Sequence, residues 1–356
     1  MKTVSYFLCL VLATLLCQCV TPINPDVRSL PPALVVDGLV TDQPGKNRVS
    51  MSFTADYTST SLNFVAEKAT VFVTDNANQQ TVFKETSPGF YQPDSSWRGS
   101  TGKSYTLHVR LSDGREYQSK PELLKPVAPI DSIYIEFNQQ LKLGSDAYDK
   151  GFDVYLDLKD PATPDDNYRW SWVHYEPLVY CDVIRIPTCP GCAIYQEYGL
   201  TCCTKCWDII RYQNLINISS DNAINGNRIS RRSILRAPFE SYEPYYVEIE
   251  QQSLTKEAYT YLSAVKDIVQ NVGGLFDAAP ATLTGNISSV TQPDELVLGY
   301  FGASAMIIRP LYIDRSKAPV TPDIILAPPP QPPPTSCAKC EESQARTSKA
   351  PKWWKF

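Results

Sequence analysis

The chain has only two histidines, His108 and His174, and three methionines in 356 residues. So few imidazoles exclude a histidine-rich metal centre, and any hydrolytic triad would have to use one of these two. Neither stands beside a nucleophile motif. G-x-S-x-G, H-E-x-x-H, a phosphate-cradling glycine loop and a dinucleotide fingerprint are all missing. There is no block of basic residues, and the formal net charge is -5. The electrostatic footprint of a nucleic-acid binder is therefore lacking, and nucleic acid is not expected as a partner. Carboxylates are plentiful but unremarkably placed. Asp165-Asp166 reads as a solvated turn, and DAYDKG at 146–151 lacks the oxygen-ligand spacing and closing Glu of a calcium loop. No catalytic residue, metal ligand or cofactor is expected, and the chain does not read as an enzyme.

What is present begins with an address. Met1 and Lys2 give a basic start, and Tyr6–Leu16 is apolar but too short to span a bilayer, which takes roughly 20 residues. This is a signal-peptide core, expected over residues 1–18. Leu16-Cys17-Gln18-Cys19 resembles a lipobox with Leu three residues before Cys19, although Gln18 replaces the usual small residue and leaves Cys17 as an alternative. Diacylglycerol on the Cys19 sulfur plus an acyl group on its amine supplies the two or more anchors that stable membrane attachment needs. No later stretch has 18 uninterrupted apolar residues, so the lipid is the membrane attachment expected.

Residues 19–32 are polar and Pro-rich, a tether; folded structure is expected from Ala33. With 21 Tyr and abundant Val, Ile and Thr, the body favours strands. Short strand-like runs at Leu34–Val40, Val49–Phe53, Ala69–Thr74, Thr81–Lys84 and Tyr105–Leu111, separated by turn signals, predict an Ig-like β-sandwich over 33–125. In YTLHVRL the apolar residues alternate with Thr106, His108 and Arg110, which places His108 on the solvent side. Pro121–Pro129 holds three prolines and reads as the boundary to a second β-rich domain, 126–315. There Phe152, Val154, Leu156 and Leu158 alternate inward. Tyr168, Trp170, Trp172 and His174 share one face, an aromatic stripe that suits either core packing or the stacking of a sugar.

Near 255–271 the period changes. Thr255 can cap a helix, Glu257 lies in its first turn, and Ala258, Leu262, Val265 and Val269 form an apolar stripe before Gly273-Gly274. One helix of about four turns is expected. Leu296–Ile308 reads as a last long strand, bent or bulged at Gly299 or Gly302. Residues 316–356 form a Pro-rich tail with a C-x-x-C, and there is no internal repeat. The predicted architecture is mainly β: two sandwich-like domains, the second with one helix and a cysteine-rich excursion.

That excursion, 181–206, holds Cys181, Cys189, Cys192, Cys202, Cys203 and Cys206, with Cys337 and Cys340 further on. An even count in an exported chain favours a disulfide framework. Cys189-Pro-Gly-Cys192 and Cys203-Thr-Lys-Cys206 also have metal-knuckle spacing, so zinc is the alternative, and redox chemistry a third. Connectivity stays open, although Cys202 and Cys203 are poorly placed to pair with each other.

Several strings together resemble a known family: CVTPI at 19–23, LVVDGLVTDQPG at 34–45, SLTKEAYTYL at 253–262, GGLFDAAPATLTGNI at 273–287 and LVLGYF at 296–301. They are similar to the Bacteroidota outer-membrane lipoproteins grouped as the domain-of-unknown-function 4249 family. The ending also fits, with Cys337, Cys340, Lys349, Pro351, Trp353 and Trp354, but EESQARTSKA stands where family members carry a Gly-rich segment. The motif residues look structural: Gly273, Gly274, Gly285 and Gly299 as turn or bulge positions, Phe276 and Tyr300 as packing anchors.

The resemblance implies a lipoprotein of the outer membrane, at the cell surface, encoded beside a TonB-dependent receptor with a carboxypeptidase-regulatory-like domain. It carries no catalytic residues to transfer. The expected function is an accessory or binding subunit of that receptor in nutrient capture, ligand unknown. The alternative is a freestanding glycan-binding or adhesion lipoprotein that uses Tyr168, Trp170 and Trp172.

Overall fold

The computed structural model describes residues 31–55, 64–141, 148–180, 183–190, 193–199, 204–212, 216–222, 225–270, 283–322, 340–351 and 354. The chain divides into two compact units, Met1–Pro32 with Ala55–Leu62, and Ala33–Thr54 with Asn63–Phe356. Every element below lies in the second. The leader, Cys19 and the expected tether through residue 30 fall outside the described residues, as do Gly273, Gly274 and Phe276.

Strands form where the sequence alternates. The first group is β1 (Leu34–Thr41), β2 (Arg48–Phe53), β3 (Thr70–Asp75), β4 (Gln80–Ser87), β5 (Phe90–Gln92), β6 (Ser104–Arg110), β7 (Glu116–Ser119) and β8 (Glu122–Leu123). In β6, Tyr105, Leu107 and Val109 are buried while Thr106, His108 and Arg110 face the other way, the pleat its sequence predicts. The second group comprises β9 (Ile130–Leu141), β10 (Tyr148–Lys159), β11 (Asn167–Tyr180), β12 (Val183–Pro187), β13 (Tyr195–Gly199), β14 (Thr204–Arg211), β15 (Asn217–Ser220), β16 (Arg228–Pro238) and β17 (Tyr245–Leu254). After it come helix α1 (Lys256–Gln270), β18 (Ile287–Ser289), β19 (Val297–Ser304), β20 (Met306–Ile313) and β21 (Arg346–Thr347). Among the described residues α1 is the single α-helix, and the protein is mainly β.

The first ten-stranded sheet runs β18-β7-β6-β3-β4-β5-β2-β1-β19, with β8 beside β6. The expected sandwich is thus one sheet folded over on itself and nearly closed, because its end strands β18 and β19 come together. One residue that links them stands just before β18. Asn286 donates from Nδ2 to the Phe301 carbonyl (2.8 Å), and its Oδ1 accepts from the Phe301 amide (2.9 Å). Leu34, Val36, Met51, Phe83, Tyr91, Leu107, Tyr117 and Phe301 fill the interior. Three-stranded β16-β10-β9 and six-stranded β20-β17-β11-β14-β21, with β15 beside β11, enclose a second core. It is built from Phe152, Val154, Leu156, Leu158, Tyr168, Trp170, Ile234, Val247 and Ile249.

Where one long strand is expected over Leu296–Ile308, the structure has two, broken at Ala305. Ser253 Oγ accepts the Ala305 amide (3.0 Å) and Asp42 Oδ1 the Met306 amide (2.8 Å), so the chain leaves one sheet and enters the other. β19 runs parallel to β1, whereas β20 is antiparallel to β17. The Pro121–Pro129 connector is itself packed, with Glu122, Leu124 and Ala128 buried.

Helix α1 starts as its sequence predicts, the Thr255 hydroxyl accepting the Ala258 amide (3.1 Å). Of the two glycines at which a bend is expected, Gly299 is the special one. Its φ is +94°, and an added Cβ would lie 2.0 Å from the Val36 carbonyl oxygen. Gly285 is pressed against it, an added Cβ meeting the Gly299 oxygen at 1.6 Å, whereas at Gly302 nothing is nearer than 4.0 Å. Gly299→Ala should therefore cost more than about 3 kcal/mol of unfolding free energy, through positive-φ strain and steric overlap, or prevent folding. Gly302→Ala should stay within about 1 kcal/mol. Urea denaturation of the two variants checks this, and equal effects would contradict the close approach.

Candidate functional site

The aromatic stripe of β11 lies in the core. Tyr168 is 2% exposed and Trp170 1%. Each polar tip has a partner: Tyr168 donates to Asp160 Oδ1 (2.6 Å), and Trp170 Nε1 donates to Gln251 Oε1 (2.9 Å). Such a ring presents no face to a sugar. Trp172 is half-buried against the same core, and its Nε1 is buried with no hydrogen-bond partner among the described residues. His174 is also buried, stacked on Tyr245 with centroids 3.6 Å apart. Its Nδ1 faces the Tyr246 carbonyl and its Nε2 the Glu176 carboxylate, both at 2.6 Å. His108 is half-buried rather than free in solvent. It stacks on Phe72 at 4.7 Å and bonds Thr74 Oγ1 (3.0 Å), and burial lowers its pKa.

Of the eight cysteines outside the leader and lipobox, Cys181, Cys192, Cys202, Cys203 and Cys337 lie outside the described residues. Cys206 forms a disulfide with Cys340, 134 residues away, and Cys189 is disulfide-bonded as well. The knuckle that pairs Cys203 with Cys206 is thus not formed through Cys206, whose sulfur joins β14 to the tail. Around that bond the tail is tied down three more ways. β21 pairs with β14, Arg346 forks onto both oxygens of Asp208 (2.6 and 3.2 Å), and the Trp354 ring lies 3.8 Å from that of Tyr246.

The fold also brings together a set of charged groups that the sequence does not single out. The turn after β1 reaches the outer face of β17: Gln43 Nε2 donates to the Met306 carbonyl (2.8 Å), and the Lys46 ammonium binds Glu250 (2.7 Å) and Glu248 (3.5 Å). Ser171 donates to the other Glu250 oxygen (3.0 Å). Burial works against both charges of the main pair, yet mutual attraction prevails: Lys46 is held above and Glu250 below its ordinary pKa. Arg169, two residues before Ser171 and so on the same face, completes the row. Asp37 and Arg48 approach from β1 and β2, joined by a loose ion pair (3.7 Å). This layer is the polar seam between the first sheet and the six-stranded sheet.

A second polar group is deeper. Glu122, 4% exposed, accepts from Thr255 Oγ1 (2.8 Å), Asn286 Nδ2 (3.1 Å) and the Tyr300 hydroxyl. Burial raises its pKa although all three hydrogen bonds oppose the rise. Its three donors are other structural residues, so it acts as a joint rather than a site. Neither group was recognisable in the sequence. Arg169, Glu248 and Glu250 occupy alternate positions of strands, the ordinary pattern of a solvent face, and Glu122 sits in a Pro-rich stretch.

Among known families, the one described as Domain of unknown function (DUF4249) matches residues 20–306. No curated protein matches the chain.

Two outcomes are expected from these contacts. Glu250→Gln should lower stability at pH 7 by about 1.5–3 kcal/mol, the range for hydrogen bonds to charged groups. Because the folded pKa of Glu250 is depressed, this contribution is complete above the ordinary glutamate value of 4.5 and fades as pH falls through the folded value. Denaturation at pH 7 and pH 3 should show the wild-type advantage shrinking in acid, and an unchanged gap would contradict the ion pair. Cys206→Ser should cost about 2–5 kcal/mol, as expected for a bond closing so long a loop. Non-reducing peptide mapping should recover Cys206 joined to Cys340.

Proposed function

The chain belongs to the DUF4249 family, and from that premise we propose that it is a lipid-anchored binding subunit of an outer-membrane uptake system. In this reading it is exported, acylated at Cys19, and held at the cell surface beside a TonB-dependent receptor of a Bacteroidota-type envelope. The observation that carries the proposal is the leader: a basic start, an apolar core too short to cross a bilayer, and Leu16-Cys17-Gln18-Cys19 at its end. The family match beginning at residue 20, directly after Cys19, supports the same division into leader and mature chain. Lipid confinement raises the effective concentration of such a subunit at its receptor, so a modest interface suffices. Two cores joined across a polar seam suit a binding body.

Two measurements test it. Cys19→Ala should shift the full-length chain from the membrane fraction to the soluble exported fraction, and the wild type should carry a diacylglyceryl adduct by mass spectrometry. Extracted in mild detergent, the wild type should co-purify with a large β-barrel protein. A monodisperse free lipoprotein would sink the receptor assignment.

A further inference from the structure

The hairpin of β12 and β13 forms a sheet of its own, joined to no other strand among the described residues. Its end is apolar and open to solvent: Ile194 is 71% exposed, Tyr195 56% and Ile186 44%, and Pro187 and Pro190 are exposed as well. The register distributes these groups over both faces of the ribbon. Pro187 stands opposite Tyr195 on one face and Ile186 opposite Gln196 on the other, while Ile194, two residues before Gln196, shares the face of Ile186. The Thr188 amide donates to the Ile194 carbonyl (3.0 Å), so the pairing continues into the turn, where Cys189 is disulfide-bonded. From Ile186 to Gln196 no residue is charged. The nearest charged residues, Arg185 and Glu197, stand opposite each other on the next rung.

Large apolar side chains scattered singly over a surface are ordinary, but three gathered at the end of one ribbon, with no charge among them, mark a contact. A protein partner would cover one face of the ribbon and leave the other wet. So small a set also falls far short of the roughly 1,000 Å² that a specific protein interface buries. A lipid surface has neither limitation, because it is fluid and closes round both faces at once. Its interfacial region favours tyrosine, whose ring is apolar and whose hydroxyl stays among the headgroups. The hairpin ladder and the Thr188–Ile194 bond also keep backbone groups of the tip paired as they leave bulk water.

We propose that this tip is a membrane contact, with Ile186, Pro187, Ile194 and Tyr195 entering the boundary between headgroups and acyl chains of a lipid surface. The contact does not depend on acylation at Cys19; it gives an anchored chain a second point of attachment, on the folded body itself. Because the tip is uncharged and the chain as a whole carries a net charge of -5, the attraction comes from apolar groups and needs no anionic lipid.

The chain from Val20 onward contains both cores and neither leader nor lipid, since every core residue lies after Pro32. It should float with phosphatidylcholine vesicles, increasingly so as lipid is raised, and equally well when phosphatidylglycerol or salt is added. Ile194→Ser combined with Tyr195→Ser, both at exposed positions, should weaken this partitioning about tenfold or more while leaving the circular dichroism unchanged. In vesicles that carry a photoactivatable acyl chain, the full-length wild type should take up label on the peptide 186–196. Flotation no greater than a lipid-free control, equal flotation of the double variant, dependence on anionic lipid, or an unlabelled tip peptide in vesicle-bound wild type would overturn the contact. The lipoprotein reading answers to a different result. A chain acylated at Cys19 whose tip stays unlabelled keeps its anchor and loses this contact, whereas an unacylated chain that floats through its tip keeps the contact and loses the anchor.

Discussion

The fold depends on one buried carboxyl group. Glu122 lies in the connector that leaves the first sheet, and the three donors it gathers come from the cap of α1, the residue before β18, and β19. Each is at a place where the chain changes course. Thr255 ends β17 and begins the helix, and Asn286 clamps the Phe301 backbone so that the two ends of the ten-stranded sheet meet. Tyr300 sits one residue after the positive-φ Gly299. A carboxyl in such a place is expensive to bury, and its burial is tolerable because both oxygens are bonded. Take it away and the hydroxyls of Thr255 and Tyr300 and one N–H of Asn286 lose this acceptor at once. The tight contact between Gly285 and Gly299 follows from the same closure, since only residues without a Cβ let these segments approach so near.

A second constraint follows from that closure. With the first sheet folded against the six-stranded sheet, β17 is covered on both faces, and its run from Glu250 to Ser253 is buried although it is polar. Gln251 serves the inner face, donating to the Ala128 carbonyl while accepting from Trp170. Glu250 serves the outer face through Lys46 and Ser171. Polar residues there are not wasted solvent contacts; they satisfy groups from which the fold has excluded water.

The elements that were legible in the sequence share a property: their signal is local. Alternation in β6 and β10 and the Thr255 cap are written within a few residues, and the structure places them as read. Glu122, Lys46 and Glu250 are illegible for the converse reason, since a charged residue acquires its role from partners over a hundred residues away, such as Glu122 with Asn286 or Lys46 with Glu250. The aromatic stripe lies between these cases. Its common face was visible, yet whether it met a core or a ligand turned on Gln251 and Asp160, one on another strand and one at the end of β10. The polar face of β17 is a further case. Period two identifies a strand with two unlike faces, and it cannot say that the polar one is covered by a second sheet.

The C-terminal tail obeys the same logic at a sheet edge. β14 would expose its outer row of backbone groups beside β11, an open template for pairing with another chain. The tail covers it, but with a strand of only two residues, Arg346 and Thr347, and so short a ladder holds little by itself. The remaining contacts fall where the ladder ends. The disulfide fixes Cys340 to Cys206 before β21, Arg346 binds Asp208 within it, and Trp354 packs on Tyr246 and Trp207 after it. A covalent bond at one end converts docking of the other contacts into an intramolecular step, which raises their effective concentration without enlarging the interface. Edge protection by so short a strand is therefore tied to the oxidised state of the Cys206–Cys340 pair.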